Sequence, residues 1–300
     1  MKKVNSKEIA NFLSKNFLGK NVLITGPSPI DSIKKNTFFF VKPKLVNDFE
    51  IPDNTLAILS KQKPFPRNSS LIISENPRYD FIRVIKNFFI KKLEFKIDKN
   101  TIVPKSCLIH KDVFIGKNVV LGENVKIGKN SKIYPNVYIG DNVEIGKNTN
   151  IKPGVVIGTS GFGYDFDKNR KPISFNHFGS VKIGNNVDIG ANTCIDQGTF
   201  SNTNIEDNVK IDNFVQIAHN CIIKKNCIVT ACAEISGNVT IEENCWISPN
   251  ISIKQKIHVG KNSLIGLGSA VIKDLPKNTK VMGVGALSLK QFLSLKKNIR

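Results

Sequence analysis

The sequence predicts a mainly β chain built around a left-handed parallel β-helix, and three observations carry that prediction. From Thr101 to Ser160 the chain divides without remainder into ten hexads, several nearly alike: VFIGKN, VVLGEN, VKIGKN, VYIGDN and VEIGKN. The third residue is Ile, Leu or Val in all ten. The fourth is often Gly and the sixth often Asn, residues that tolerate the turns between short strands. Three hexads close a triangular coil of 18 residues, stacking Ile on Ile at a strand spacing of about 4.8 Å. An α-helix is excluded by the period of six and by the density of Gly, Asn and β-branched residues.

Residues 1–98 precede the repeat and predict a small α/β domain. Asn5 with Glu8 makes a capping-box pattern, opening a helix that runs to about Asn16. VLITG, TFFFV, LAILS and SLIIS then predict short strands. Asn76 and Pro77 predict a second helix, whose Phe81, Ile82, Ile85, Phe88 and Phe89 form an apolar stripe suited to the core. The β-helix domain spans residues 99–286. Its register breaks after Ser160, where GFGYDFDKNRKPISFNHFGS makes an excursion loop over residues 161–180, then resumes with VKIGNN, VDIGAN and TCIDQG. A short insertion, Thr199 to Asn202, precedes eleven further hexads from Thr203 to Gly268, for about eight coils in all. Loops ejected from a regular scaffold tend to sit where function sits. Residues 287–300, LSLKQFLSLKKNIR from 287 on, predict a short basic amphipathic C-terminal helix.

Composition narrows the function classes. The start, MKKVNSKEIANFLSKNF, carries no signal-peptide pattern, and no stretch approaches about 18 unbroken apolar residues, so a cytoplasmic protein with at most peripheral membrane contact is expected. Of the six cysteines, Cys107, Cys221, Cys227 and Cys245 open hexads, the small apolar slot, while Cys194 and Cys232 do not; with no CxxC pair, structural thiols are expected, without disulfide or metal. The net charge of +20 favours acidic partners such as nucleotide phosphates, an acidic carrier protein or an anionic membrane face. Nucleic acid is not supported, because no binding motif or basic helix with interleaved aromatics occurs.

The chemistry points to His219. Of the four histidines, His110, His177, His219 and His258, it alone lies in a segment, IDNFVQIAHN, that places it at the fifth position of a hexad beside the inward Ile217. Its side chain is expected to leave the core at a corner and to face a neighbouring subunit, hence a homotrimer. Asp212, seven residues earlier and near the preceding corner, is expected to hold the imidazole tautomer. One coil of 18 residues beyond His219 lies Gly237, where a bare backbone N–H suits an oxyanion hole. A histidine metal site is not expected, because His177 and His258 do not fall into spacing with His219.

In this pattern the chain resembles the UDP-3-O-(3-hydroxyacyl)glucosamine N-acyltransferases of lipid A biosynthesis, a family of hexapeptide-repeat acyltransferases, over nearly its whole length. GTSGFGY, then FGSVKIGNNVDIGANTCIDQG, then IDNFVQIAHN follow that family in order and spacing, and VLITG, TFFFVKPK and SENPRYDF are similar to its uridine-binding domain. The resemblance implies His219 as base, Asp212 as its carboxylate and Gly237 as oxyanion donor. It implies Phe39 stacking on the nucleobase, with Lys42, Tyr164, Asn213 and Lys256 as further substrate-binding candidates. The implied reaction moves a 3-hydroxyacyl chain from acyl carrier protein to the 2-amino group of a UDP-linked, O-acylated glucosamine, without metal or redox cofactor, and the basic tail, with Lys290, Lys296, Lys297 and Arg300, would dock the carrier. Three features depart from the family: Lys42 replaces an Asn that contacts uridine, Lys256 replaces a second histidine, and GLGSAVIKDLPKNTKVMGVGA is closer to small-molecule sugar acetyltransferases. An acetyl-CoA-dependent N-acetyltransferase acting on another nucleotide-linked amino sugar is therefore the alternative, and a non-catalytic β-helical scaffold the third reading.

Overall fold

The computed structural model describes residues 3–90, 93–283 and 285. The predicted C-terminal helix and its four basic residues lie outside them. The chain forms two units, Met1–Lys92 and Leu93–Arg300. No helix among the described residues is long and apolar enough to cross a membrane.

In the first unit, helix α1 (Ser6–Leu13) ends at Ser14, which takes a left-handed conformation, so it stops short of the predicted Asn16. Asn5 precedes it without a side-chain cap, and the capping box suggested by Asn5 and Glu8 does not form. Ser6 Oγ instead accepts from the Val22 backbone N–H, tying the helix start to the neighbouring strand. The central sheet runs Phe17–Gly19, Ser70–Ile73, Leu56–Leu59, Thr37–Phe40, Gly26–Pro27. Its first pair is antiparallel and the others parallel. Helix α2 (Pro77–Val84) is capped as predicted by Asn76, whose side chain accepts from the Tyr79 N–H. Parallel strands covered on both faces are apolar throughout, as LAIL is. Phe38, Leu56, Ile58 and Ile72 pack with the helices, whereas Phe39, Val41, Ala57, Leu59 and Leu71 fill a second core.

The second unit is a parallel β-solenoid. Two-residue strands, lengthened to three or four beside the insertions, stack into three faces. The first face runs from Leu108–Ile109 to His258–Val259, the second from Phe114–Ile115 to Lys280–Val281, the third from Val120–Leu121 to Ala270–Val271. Every hexad moves the chain to the next face, and the parallel pairing sets Ile on Ile, as in Ile195, Ile217 and Ile235. These side chains are fully buried, and each such burial contributes about 1.5–3 kcal/mol.

The turns explain the Asn column. The sixth position takes positive φ at Asn118, Asn124, Asn130 and onward through Asn278, a conformation that Asn tolerates better than most residues. The same side chains form ladders between coils, with Asn226 donating to Asn244 at 3.0 Å and Asn244 to Asn262 at 3.2 Å. Cys221, Cys227 and Cys245 occupy the buried slot that opens a hexad, and burial pushes the Cys221 thiol up to about 12.

Candidate active site

Both insertions into the 18-residue rhythm occur at one corner, where the third face hands the chain to the first. The excursion loop leaves after Val156–Thr159 and returns at Val181–Ile183. The short insertion leaves after Cys194–Asp196 and returns at Thr203–Ile205. His219 lies in the next turn of this corner, between Gln216–Ile217 and Ile222–Ile223, and Gly237 in the one after, between Glu234–Ile235 and Thr240–Ile241. Together they bound a cleft of about 650 Å³ whose lining includes Ser160, Tyr164, Asp196, His219, Gly237 and Gln255.

The insertion fixes the His219 imidazole. Asn220 Oδ1 accepts from the Thr199 backbone N–H at 3.0 Å and from Thr199 Oγ1 at 2.8 Å, and its amide nitrogen donates to Ser201 Oγ at 2.9 Å. A backbone amide only donates, so the atom facing it is the oxygen. That same oxygen lies 3.0 Å from His219 Nδ1, which therefore carries the proton. Nε2 is left with its lone pair and lies against Gly237: a Cβ added there would sit 2.6 Å from Nε2. The site thus combines an oriented acceptor of protons with a glycine backbone in contact, the two parts that proton-coupled acyl transfer needs.

Two residues at this corner were not singled out by the sequence. Asp196 accepts from Gln216 Nε2 at 2.9 Å and shares the cleft with His219. His177, carried by the excursion loop, packs edge-on against His219 with ring centroids 5.1 Å apart. His177 does not fall into the hexad spacing of His219, and the excursion loop carries it there. His177 is 7% exposed, and Gln197 Nε2 donates to its carbonyl at 2.9 Å. Burial, then the adjacent His219, hold the His177 imidazole below its usual range.

Burial raises the Asp196 carboxyl, while the Gln216 hydrogen bond and the proximity of His219 act in the opposite direction. A folded value above the unfolded one means that the native state holds more protons across the interval between them. The stabilisation is complete below the unfolded value of about 3.9 and is lost as pH rises through the folded value. Asp196→Asn is therefore expected to raise the melting temperature relative to wild type at about pH 7 and not at about pH 3; a lower melting temperature at neutral pH contradicts this.

Several predicted site residues lie elsewhere. Asp212 and Asn213 occupy the turn between Lys210–Ile211 and Gln216–Ile217, the corner joining the second face to the third. A separation of seven residues crosses a face, so Asp212 and His219 stand at different corners of the chain. Asp212 Oδ1 accepts from the Asn213 N–H, and Asn213 Oδ1 from the Ala191 N–H at 2.7 Å, both turn contacts. Asn220, not Asp212, holds the His219 tautomer within the chain. Lys256 shares the corner of His219 but takes the left-handed sixth position, in the column of Asn220 and Asn238, and Gln255 lines the cleft instead. Tyr164 lines it, its ring 4.8 Å from that of Phe162. Phe39 is 1% exposed and packs on Phe49 in the core, so it presents no face to a ligand. Its neighbour Phe40 lines a cavity of about 440 Å³ in the first unit with Lys42, Phe81 and Ile85.

The repeats match known models. Bacterial transferase hexapeptide (six repeats) matches residues 106–141, 124–159 and 202–237, and the hexapeptide repeat of succinyl-transferase matches residues 180–213. The chain is similar to the solved UDP-N-acetylglucosamine acyltransferase of Francisella novicida, with 30% identity, 67% of this chain and 73% of that one covered, and a TM-score of 0.58. It is similar to another solved UDP-N-acetylglucosamine acyltransferase at 28% identity, with 68% and 79% covered and a TM-score of 0.58. LpxA from Acinetobacter baumannii matches at 26% identity, with 67% and 77% covered and a TM-score of 0.57. No curated protein sequence matches.

Proposed function

The chain belongs to the hexapeptide-repeat acyltransferases of the UDP-N-acetylglucosamine acyltransferase type, and on that premise we propose that it is an N-acyltransferase with His219 as general base. In this proposal a 3-hydroxyacyl chain passes from the thioester of acyl carrier protein to the 2-amino group of a UDP-linked, 3-O-acylated glucosamine of lipid A biosynthesis. The observation that carries it is the 3.0 Å contact of Asn220 Oδ1 with His219 Nδ1, which supports a lone pair on Nε2 against Gly237.

The acceptor nitrogen attacks the thioester carbonyl as Nε2 withdraws one of its protons. The Gly237 N–H steadies the oxyanion, the carbon–sulfur bond breaks, and the imidazolium returns the proton to the departing sulfur. No metal or redox group enters. His177 and the loop wall the imidazole from one side. Phe175, Phe178 and Phe200 are exposed at the same corner, with Phe178 stacked on Phe200 at 6.2 Å. An apolar patch of this kind suits a second copy of the chain, so the proposal includes a homotrimer whose neighbour closes the acyl groove. Lys42 meets the nucleotide at the first unit's cavity, where Phe40 and Phe81 replace Phe39 as the aromatic faces for the base. The net charge of +20 favours an acidic carrier protein.

Donor profiling tests the reaction. Turnover is expected with hydroxyacyl carrier protein and not with acetyl-CoA. Turnover with acetyl-CoA alone would overturn the carrier-dependent reaction in favour of the N-acetyltransferase.

A further inference from the structure

The cleft is acidic in a chain of net charge +20. The charged side chains that line it are Asp196 and Glu234. Glu234 is paired in register with Gln216, and its Oε1 accepts from Ser236 Oγ at 2.8 Å. Gln216 in turn donates to Asp196 Oδ2, so an amide and a hydroxyl group hold the two carboxylates on the third face. A Cβ added to Gly161 would lie 3.2 Å from Asp196 Oδ2 and 3.3 Å from His219 Cδ2, so carboxylate and imidazole flank one point of the loop backbone. Two carboxylates repel a phosphate and offer little to a thioester. A cation compensates their partial desolvation.

From this charge pattern we infer that Asp196, backed by Glu234, selects an amine over a hydroxyl acceptor by holding the acceptor's ammonium group beside His219. The inference rests on the acyl-transfer reading above and names the feature that directs it to nitrogen. The ammonium has three donors and a full charge, whereas a hydroxyl has one donor and none. Before attack the ammonium loses one proton to water. As the carbon–nitrogen bond forms and the carbon–sulfur bond breaks, a second proton passes through His219 Nε2 to the thiolate, and the third remains on the amide. The carboxylate opposes the positive charge that grows on the attacking nitrogen, which an attacking hydroxyl leaves to the base alone.

Calorimetric binding without acyl donor tests the inference apart from catalysis. The probes are a UDP-linked 3-O-acylated 2-amino sugar and the same compound with a 2-hydroxyl, near pH 7. The wild type is expected to bind the amine about tenfold or more tightly than the hydroxyl compound, the usual advantage of a charge-assisted hydrogen bond. Asp196→Asn reduces that preference to within about twofold, and Glu234→Gln reduces it less. Asp196→Ser, a second variant, loses it as well. A wild type without preference, or an Asp196→Asn protein that keeps it, overturns the inference. Amine-selective binding that depends on Asp196 without hydroxyacyl turnover sinks the catalytic reading alone, and turnover without such selectivity sinks this inference alone.

Discussion

His219→Ala lowers kcat for acyl transfer by about 10²- to 10⁴-fold, the range a positioned general base supplies, while the folded state persists. The imidazole is half-buried in a turn, outside the stack formed by Ile195, Ile217 and Ile235, so its removal opens no core cavity. Comparing kcat with thermal unfolding on the same sample separates the two. A scaffold without catalysis predicts full activity in a complementation assay, whereas loss of activity with an unchanged melting temperature is the expected result. A variant that merely unfolds would lose both together.

Gly237→Ala has the second large effect. The added methyl would stand 2.6 Å from His219 Nε2 and 2.7 Å from Cε1, closer than real carbon contacts, so the ring must turn away from its Asn220 partner. The substitution also displaces the backbone assigned to the oxyanion, and loss of one such donor costs about 10²- to 10³-fold in kcat. Gly26→Ala is the control, because a Cβ there meets nothing within 4 Å. Steady-state kcat should fall for Gly237→Ala and stay within about twofold for Gly26→Ala. Equal kcat for the two glycine variants would show that the cleft does not use Gly237.

The solenoid is legible because two residues in six, the first and the third, are forced inward and the sixth into a left-handed turn, so Val, Ile and Asn recur where geometry demands them. The relation of His219 to Gly237 is legible for the same reason: 18 residues return the chain to the same corner. Asp212 falls at the preceding corner on the same arithmetic, since seven residues carry the chain across a face. Asp196 is concealed by the insertion, which lengthens the repeat so that Cys194 pairs with Gln216, 22 residues on. Adding the four inserted residues to 18 sets Asp196 level with Ala218, next to His219, and the sequence does contain that signal. His177 has no such signal, because the excursion loop follows no period. Phe39 is undecidable by alternation: TFFF is buried on both faces of its sheet, and only the fold shows that Phe40, not Phe39, reaches the cavity. Asn220 is concealed by its neighbours. It is one of many Asn residues at the sixth position, and its contact with Thr199 distinguishes it only once the insertion is in place.

The measurement closest to the mechanism is the tautomer of His219. In protein with ¹⁵N-labelled histidine, with His219 assigned by its alanine variant, the two ring nitrogens are resolved above the imidazole's titration. Asn220 predicts a protonated Nδ1 and an unprotonated Nε2, and the cross-peak pattern should revert toward the free-histidine mixture in Asn220→Leu. A wild-type spectrum with the proton on Nε2 would leave no base facing Gly237 and would contradict the mechanism.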